Sequence, residues 1–335
     1  MSRGVFRFGF AKICHPPSRY HQSACRERPE PVRAQYYAGL TQKFPQVEFQ
    51  VVDHHSKARA AIAETDVLIT FGPMLHDDVL KAAKKLRWIQ ALGTGVDGIV
   101  DQPSLGRDVL VTKMHGFHGA PVSEAAILAM LALARDLPRA VRSQDARKWD
   151  RFPARTLKGK TVVILGVGGI AETLAPMCKA LGMRVVGISS TVRSVDGFDV
   201  IHRKQDLVET VREVDFLVLL TPLTPETRGI VDAKVLGAMK PSACLVNLAR
   251  GGVVDEPALI QSLKSKQIAG AALDVFAKEP LPGDSPFWAL PNVIITPHAG
   301  GFFDGYPQHA LPVIEENLRR FMAGDMGNML NVVKR

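Results

Sequence analysis

The 335 residues carry 42 Lys and Arg against 33 Asp and Glu, a formal net charge of +9, and 46% of them are hydrophobic, an ordinary globular balance. That length is comfortable for two domains, and no apolar run approaches the ~20 residues that span a bilayer, so no membrane segment is expected. The basic residues are scattered rather than gathered into a stripe or motif, which argues against specific nucleic-acid binding and for a positive field that collects small anions.

The first 26 residues hold Arg3, Arg7, Lys12, Arg19 and Arg26 and no acid, a loose likeness to a transit peptide. The alternation over residues 5–10 predicts an opening strand instead, and the proline- and arginine-rich residues 16–31 an irregular connection. A helix over 32–40, a strand over 47–52, a helix over 58–63, a strand over 67–70, a helix over 79–85 and a strand over 88–92 follow. This alternation implies an open, mostly parallel sheet whose binding face lies at the strand C-terminal ends. Thr94 and Gly95, in Leu92-Gly93-Thr94-Gly95-Val96-Asp97, stand at one such end. Their N–H groups suit a carboxylate, as in a nest, although the same residues also make an ordinary turn.

A long helix is predicted from Ser123, apolar on every side over residues 125–134 and so either buried or packed against a second subunit. Residues 149–160 then lead into Val162-Val163-Ile164-Leu165-Gly166-Val167-Gly168-Gly169-Ile170-Ala171. An apolar strand, a tight turn at Gly166, a bare backbone at Gly168 and a helix start with open N–H groups at Gly169 and Ile170 form a dinucleotide phosphate site. Ala171 takes the place of the third glycine. The next strand, over 183–188, ends in Ser189-Ser190-Thr191 with Arg193 close behind, where NAD-binding chains carry a carboxylate for the ribose hydroxyls. Hydroxyls and a guanidinium receive a 2′-phosphate that a carboxylate would repel, so NADP is expected as the preferred cofactor, with NAD second. The alternative is that the serines cap a turn and Arg193 is a solvated loop residue.

Further strands over 216–220, 243–248, 271–275 and 293–296 complete a second doubly wound domain. Three polar residues follow its strands: Arg250 in Asn247-Leu248-Ala249-Arg250-Gly251-Gly252, Glu279 in Asp274-Val275-Phe276-Ala277-Lys278-Glu279-Pro280, and His298 in Thr296-Pro297-His298-Ala299-Gly300. Singly, each has an ordinary structural reading: a surface ion pair, a turn cap, a loop histidine. Together they suit reduction of an α-keto acid. Arginine offers a forked cation for the carboxylate, histidine protonates the carbonyl oxygen, and a carboxylate steadies the imidazolium. The four cysteines, Cys14, Cys25, Cys178 and Cys244, form no CxxC pair, and His54, His55, His115 and His118 have no ligand spacing. No disulfide framework or metal site is expected, and a reducing cytoplasm fits best.

These motifs, with Thr221-Pro222-Leu223-Thr224-Pro225-Glu226-Thr227, occur in an order that resembles the D-isomer-specific 2-hydroxyacid dehydrogenase family, which includes glyoxylate/hydroxypyruvate reductases and phosphoglycerate dehydrogenases. The likeness runs from about residue 45 to the end. It implies an α/β fold of two doubly wound parallel-sheet domains: a Rossmann nucleotide domain, residues 114–299, inserted into a flavodoxin-like substrate domain, residues 1–113 and 300–335. It implies Arg250 as binder of the substrate carboxylate and carbonyl, His298 as general acid and Glu279 as its partner. Thr94 and Gly95 would hold the carboxylate by their N–H groups, and Asp274 the nicotinamide carboxamide. Thr221, Pro222, Thr227, Leu248 and Gly300 join the glycine loop as cofactor contacts, and the apolar helix contributes to a homodimer. The departures are Ala171, the missing acid at Ser189 and the segment up to Pro31.

The expected activity is hydride transfer from NADPH to a small 2-oxo acid such as glyoxylate or hydroxypyruvate, inside domains that close over the carbonyl. Residues near Phe71, Gly72, Pro73, Met74, Phe302, Phe303 and Tyr306 would line the pocket and favour an apolar side chain. A nucleotide-sensing protein of the corepressor type, on the same fold and retaining the same trio, is the alternative; this chain has no long added partner-binding region. Phosphoglycerate dehydrogenase activity is a third reading, for which the chain lacks length for the regulatory domain many of those enzymes carry.

Overall fold

The structure, a computed structural model, describes residues 7–10, 32–52, 58–59, 62–72 and 75–335. It divides into two compact units, Met1–His115 with Asp304–Arg335, and Gly116–Phe303. Gly300 therefore travels with the second unit rather than with the C-terminal tail, because its N–H and that of Ala299 donate to the Asp274 carboxylate. Met114 stays with the first unit through its N–H bond to the Gly93 carbonyl.

The first unit holds five parallel strands, β1 (Arg7–Phe10), β2 (Glu48–Val51), β3 (Val67–Thr70), β4 (Trp88–Ala91) and β5 (Leu110–Thr112). Their order, β2-β1-β3-β4-β5, is the flavodoxin-type winding. β3 and β4 are buried along their whole length, as expected of inner strands covered on both faces. Gln90 is the polar residue on β4, and it is satisfied: Thr112 Oγ1 donates to its Oε1 at 2.8 Å and Asn317 Nδ2 at 3.1 Å. Asn317 lies on the C-terminal helix Tyr306–Met322, so a buried polar network pins that helix to the sheet. On the same unit are α1 (Val32–Lys43) and α2 (Asp77–Ala82). The latter begins ahead of the predicted helix because Asp77 and Asp78 suit the positive end of a helix dipole. Of the predicted helix over 58–63, residues 58–59 are helical and Ile62–Glu64 form a single 3-10 turn. Residues 5 and 6 of the opening strand, the connection over 16–31, Cys14, Cys25, His54 and His55 lie outside the described residues.

The second unit opens with α3 (Gly119–Ala134) and α4 (Leu137–Asp145). α3 starts a turn ahead of Ser123, with Pro121 in its first turn, where a missing N–H costs nothing. α4 has Pro138 at the same kind of position. One face of α3, with Ala126, Met130 and Ala134, packs with Leu174, Ala175 and Cys178. The opposite face leaves Leu128 64% exposed. The sheet contains β6 (Thr161–Leu165), β7 (Arg184–Ser189), β8 (Val200–Arg203), β9 (Phe216–Leu219), β10 (Cys244–Asn247), β11 (Gly270–Leu273) and β12 (Val293–Ile295), all parallel. The order β12-β11-β10-β9-β6-β7-β8 reverses direction between β6 and β9, the point where a doubly wound sheet opens a crevice at its carboxyl ends. Both strands absent from the sequence reading, β5 and β8, are sheet edges, short and partly polar because only one side is paired.

Candidate active site

At the end of β6 the chain turns through Gly166 at φ +105°, and a Cβ there would lie 2.6 Å from the Thr221 backbone nitrogen. Only glycine allows the β6 and β9 loops to approach this closely. Gly168 caps α5 (Gly169–Ala180), whose first internal bond runs from Glu172 N to Gly168 O at 2.9 Å. The earlier N–H groups, at Gly169, Ile170 and Ala171, therefore project from the helix start. A Cβ added at Gly168 or Gly169 would meet nothing within 4 Å. Open space in front of unengaged N–H donors fits a pyrophosphate.

The three polar residues expected to react lie in the loops after three adjacent strands. After β10, Asn247 shapes the turn by accepting the Ala249 N–H at 3.1 Å and donating to the Arg250 carbonyl at 3.1 Å. Arg250 itself donates to the Ala249 carbonyl at 2.6 Å. A Cβ at Gly251 would fall 1.9 Å from the Phe276 carbonyl carbon, so this glycine lets the Arg250 loop lie directly on the backbone that leads to Glu279. After β11, Glu279 Oε1 accepts the Phe276 N–H at 2.9 Å, and the Ala277 N–H donates to Glu256 at the start of α6 (Glu256–Lys264) at 2.7 Å. After β12, His298 Nδ1 lies 2.7 Å from Glu279 Oε2, with both side chains about four-fifths buried. His298 has φ +53°, a left-handed conformation uncommon outside glycine and asparagine, held by its N–H bond to the Asp274 carbonyl at 2.8 Å.

Asp274 is 3% exposed and serves as the hub of this corner. Its carboxylate accepts from the Thr296 hydroxyl, the Ala299 N–H at 2.9 Å and the Gly300 N–H at 2.9 Å. A carboxylate has about four acceptor sites, so one is left for a further donor. Asp274, Leu248 and Gly300 also border an apolar cleft of about 580 Å³ that continues along α3 and α4.

The remaining expected residues fall into different settings. Thr227 is buried and its hydroxyl turns into its own loop, donating to the Pro222 carbonyl at 2.6 Å and accepting the Thr224 N–H at 2.7 Å, so it shapes the Thr221–Pro222 turn. At the end of β7, Ser189 Oγ accepts the Thr191 N–H at 3.3 Å and Ser190 is exposed. Arg193 NH2 donates to Glu172 at 2.5 Å. In the first unit, Thr94 and Gly95 occupy the loop after β4, where the Tyr306 hydroxyl donates to the Leu92 carbonyl. Tyr306 is thus a buried anchor rather than an open pocket wall, and burial pushes its phenol well above the ordinary range. The ring of Phe71 closes on Gly93; Pro73 and Met74 lie outside the described residues. Sequence reasoning passed over Asn247, Gly251, Glu256 and Thr296 as site-building residues. Asn247, at a strand end with N–H groups two residues on, carried a readable Asx-turn signal.

A reversing parallel sheet, a glycine turn running into a helix N-terminus and an imidazole paired with a carboxylate at the same carboxyl edge define a dinucleotide-binding fold with a polar site at its crevice. Residues 127–300 match the NAD binding domain of D-isomer specific 2-hydroxyacid dehydrogenase, and residues 24–195 match its catalytic domain. The chain belongs to the D-isomer specific 2-hydroxyacid dehydrogenase family. It is 35% identical over 279 residues to D-3-phosphoglycerate dehydrogenase of Methanocaldococcus jannaschii, covering 81% of this chain and 52% of that protein. The chain spans about half the length of the curated relatives it matches. Among solved structures, a family protein from Aeromonas salmonicida shares 30% identity at a TM-score of 0.81 over 99% of both chains. A second, from Xanthobacter autotrophicus in complex with NADPH and MES, shares 29% identity at a TM-score of 0.75, covering 99% of this chain and 98% of that one. These relatives are dehydrogenases, and they lend the corepressor alternative no support. Among the described residues no helix is long and apolar enough to cross a membrane.

Proposed function

We propose that the protein reduces a small 2-oxo acid to the D-2-hydroxy acid, preferring NADPH, in the manner of a glyoxylate/hydroxypyruvate reductase. The observation that carries this reading is the 2.7 Å pairing of His298 Nδ1 with Glu279, itself held by the Phe276 N–H. With Nδ1 engaged, Nε2 is the nitrogen that delivers a proton to the carbonyl oxygen, and Glu279 is the positioning residue that orients the ring and steadies its cationic form. Arg250 supplies the forked cation for the substrate carboxylate and polarises the carbonyl, and in the first unit the Thr94 and Gly95 N–H groups are the carboxylate donors of this reading. The nicotinamide cofactor supplies the hydride. Gly166, Gly168, Gly169 and Ile170 would hold its pyrophosphate, Ser189, Ser190 and Arg193 its 2′-phosphate, and Asp274, through its remaining acceptor site, its carboxamide. Thr221, Pro222, Leu248 and Gly300 would border it, and Thr227 would shape its loop.

The absence of an acid at the end of β7 supports NADPH over NADH, and the similar Xanthobacter structure holds NADPH. The exposed side chains of Leu128, Leu131, Leu137 and Val141, beside the apolar cleft, support a homodimer through α3 and α4. Cys178 and Cys244 are free, and burial pushes the Cys178 thiol up to about 12, which suits inert core thiols in a reducing cytoplasm. The test is optical oxidation of NADPH and of NADH against glyoxylate, hydroxypyruvate, phenylpyruvate and 3-phosphohydroxypyruvate. NADPH turnover on the small unphosphorylated acids, abolished by Arg250→Ala and His298→Asn, is expected. Cofactor binding without turnover on any acid would refute the reductase reading, and selective turnover of the phosphorylated acid would move the substrate to that class.

A further inference from the structure

An ion pair ties the segment after β7 to the first turn of α5. Arg193 NH2 donates to Glu172 Oε1 at 2.5 Å, with the two side chains 47% and 44% exposed. Glu172 is the acid of the first turn of α5, where the positive end of the helix dipole favours a carboxylate. Arg193 follows the exposed Ser190, Thr191 and Val192, and Glu172 is its ion-pair partner among the described residues. The Arg193 guanidinium, assigned above to the 2′-phosphate, is therefore already held by a carboxylate of this chain.

We propose that Glu172 is a specificity-determining residue that limits the preference for NADP. Its carboxylate is an internal stand-in for the 2′-phosphate: it neutralises Arg193 when NAD binds and must be displaced from the guanidinium when NADP binds. The proposal rests on the NADPH reading above, because it needs Arg193 to receive the 2′-phosphate. An exposed ion pair is worth a factor of about two to five, whereas a phosphate dianion can take two parallel bonds from the same guanidinium. The phosphate therefore wins, but by less than it would beside an unpaired arginine. A carboxylate and a phosphate sharing one guanidinium would also repel one another, since such a spacing falls inside the ~8 Å screening length at physiological salt.

The test is equilibrium binding of NADP⁺, NAD⁺ and adenosine 2′,5′-bisphosphate, by titration calorimetry, to the full chain and to its Glu172→Gln and Arg193→Gln variants. Glutamine matches glutamate in size, removes the charge at Arg193 with a shorter polar side chain, and suits the solvent-exposed setting of both positions. Glu172→Gln is expected to tighten NADP⁺ and the bisphosphate by about two- to fivefold, while moving NAD⁺ less than twofold. Arg193→Gln is expected to weaken both phosphorylated ligands and to leave NAD⁺ in place. If Arg193→Gln lowers NADP⁺ affinity while Glu172→Gln leaves it unchanged or weakens it, the limiting role of Glu172 is wrong and the NADPH reading stands. If Arg193→Gln leaves the NADP⁺ to NAD⁺ ratio unchanged, both fall.

Discussion

Two ends of the same sheet are built from opposite materials. At the carboxyl ends of β11 and β12, Asp274, Glu279 and His298 are mostly buried, and each is held by bonds to backbone or to one another. At the end of β7, Ser190 and Arg193 lie in solvent, and one exposed ion pair to Glu172 is the main tie. A proton donor must be fixed to a fraction of an ångström, because misplacement raises the barrier directly. Recognition of a phosphate tolerates flexible, solvated groups, because charge attraction falls off slowly with distance. The difference teaches where substitutions should be catastrophic and where they should merely tune.

The largest effect is expected at His298. His298→Asn, which suits the left-handed backbone, should lower kcat by about 10²- to 10⁴-fold with the circular dichroism spectrum unchanged. A loss below tenfold would remove the imidazole from the reaction. Next, Gly251→Ala places a methyl group 1.9 Å from the Phe276 carbonyl carbon and should cost about 3 kcal/mol in urea unfolding, together with most of the activity. Unfolding at the wild-type midpoint would show that the two loops separate freely. Asp274→Asn keeps the shape but sets an amide NH2 against one of the two N–H donors, and a loss of about 1–3 kcal/mol is expected.

The smallest effect is expected at Asp199, on the exposed side beside α5. The Lys179 ammonium, and then the Val185 N–H, hold its carboxyl below the usual carboxylate range. A depressed folded-state value contributes stability above the unfolded value, near 3.9, and loses it as pH falls through the folded value. Asp199→Asn should therefore cost less than about 1 kcal/mol at pH 7, since the pair is solvent-screened, and the gap should close on acidification below about pH 4. A constant gap across that range would assign the effect to packing instead.

Much of the candidate site is written locally. Arg250, Glu279 and His298 each follow an apolar run, and a strand end in a parallel sheet is where side chains leave the core and face a crevice. The glycine loop is legible for the same reason: strand, turn and helix are neighbours in the chain. What stayed hidden depends on partners far away in sequence. Glu172 and Arg193 are 21 residues apart on different elements, and no local pattern joins them. Thr227 and Tyr306 have residue types that suit a binding site, yet backbone direction turns one hydroxyl into its own loop and the other toward the Leu92 carbonyl. The edge strands β5 and β8 were missed because half-paired strands need little apolar periodicity.

By itself the sequence determined that apolar runs separated by glycine, proline and polar turns would form alternating strands and helices in two doubly wound sheets, since burial and period are local properties of the chain. It also placed the chemistry-bearing residues at the ends of those strands. Only the tertiary structure decided which strands lie side by side, that Gly251 brings two loops into backbone contact, and that Glu279 meets His298 while Glu172 holds Arg193. Those outcomes follow from long-range packing and from where each loop aims its side chains, which are settled when the sheet closes around its core and not before.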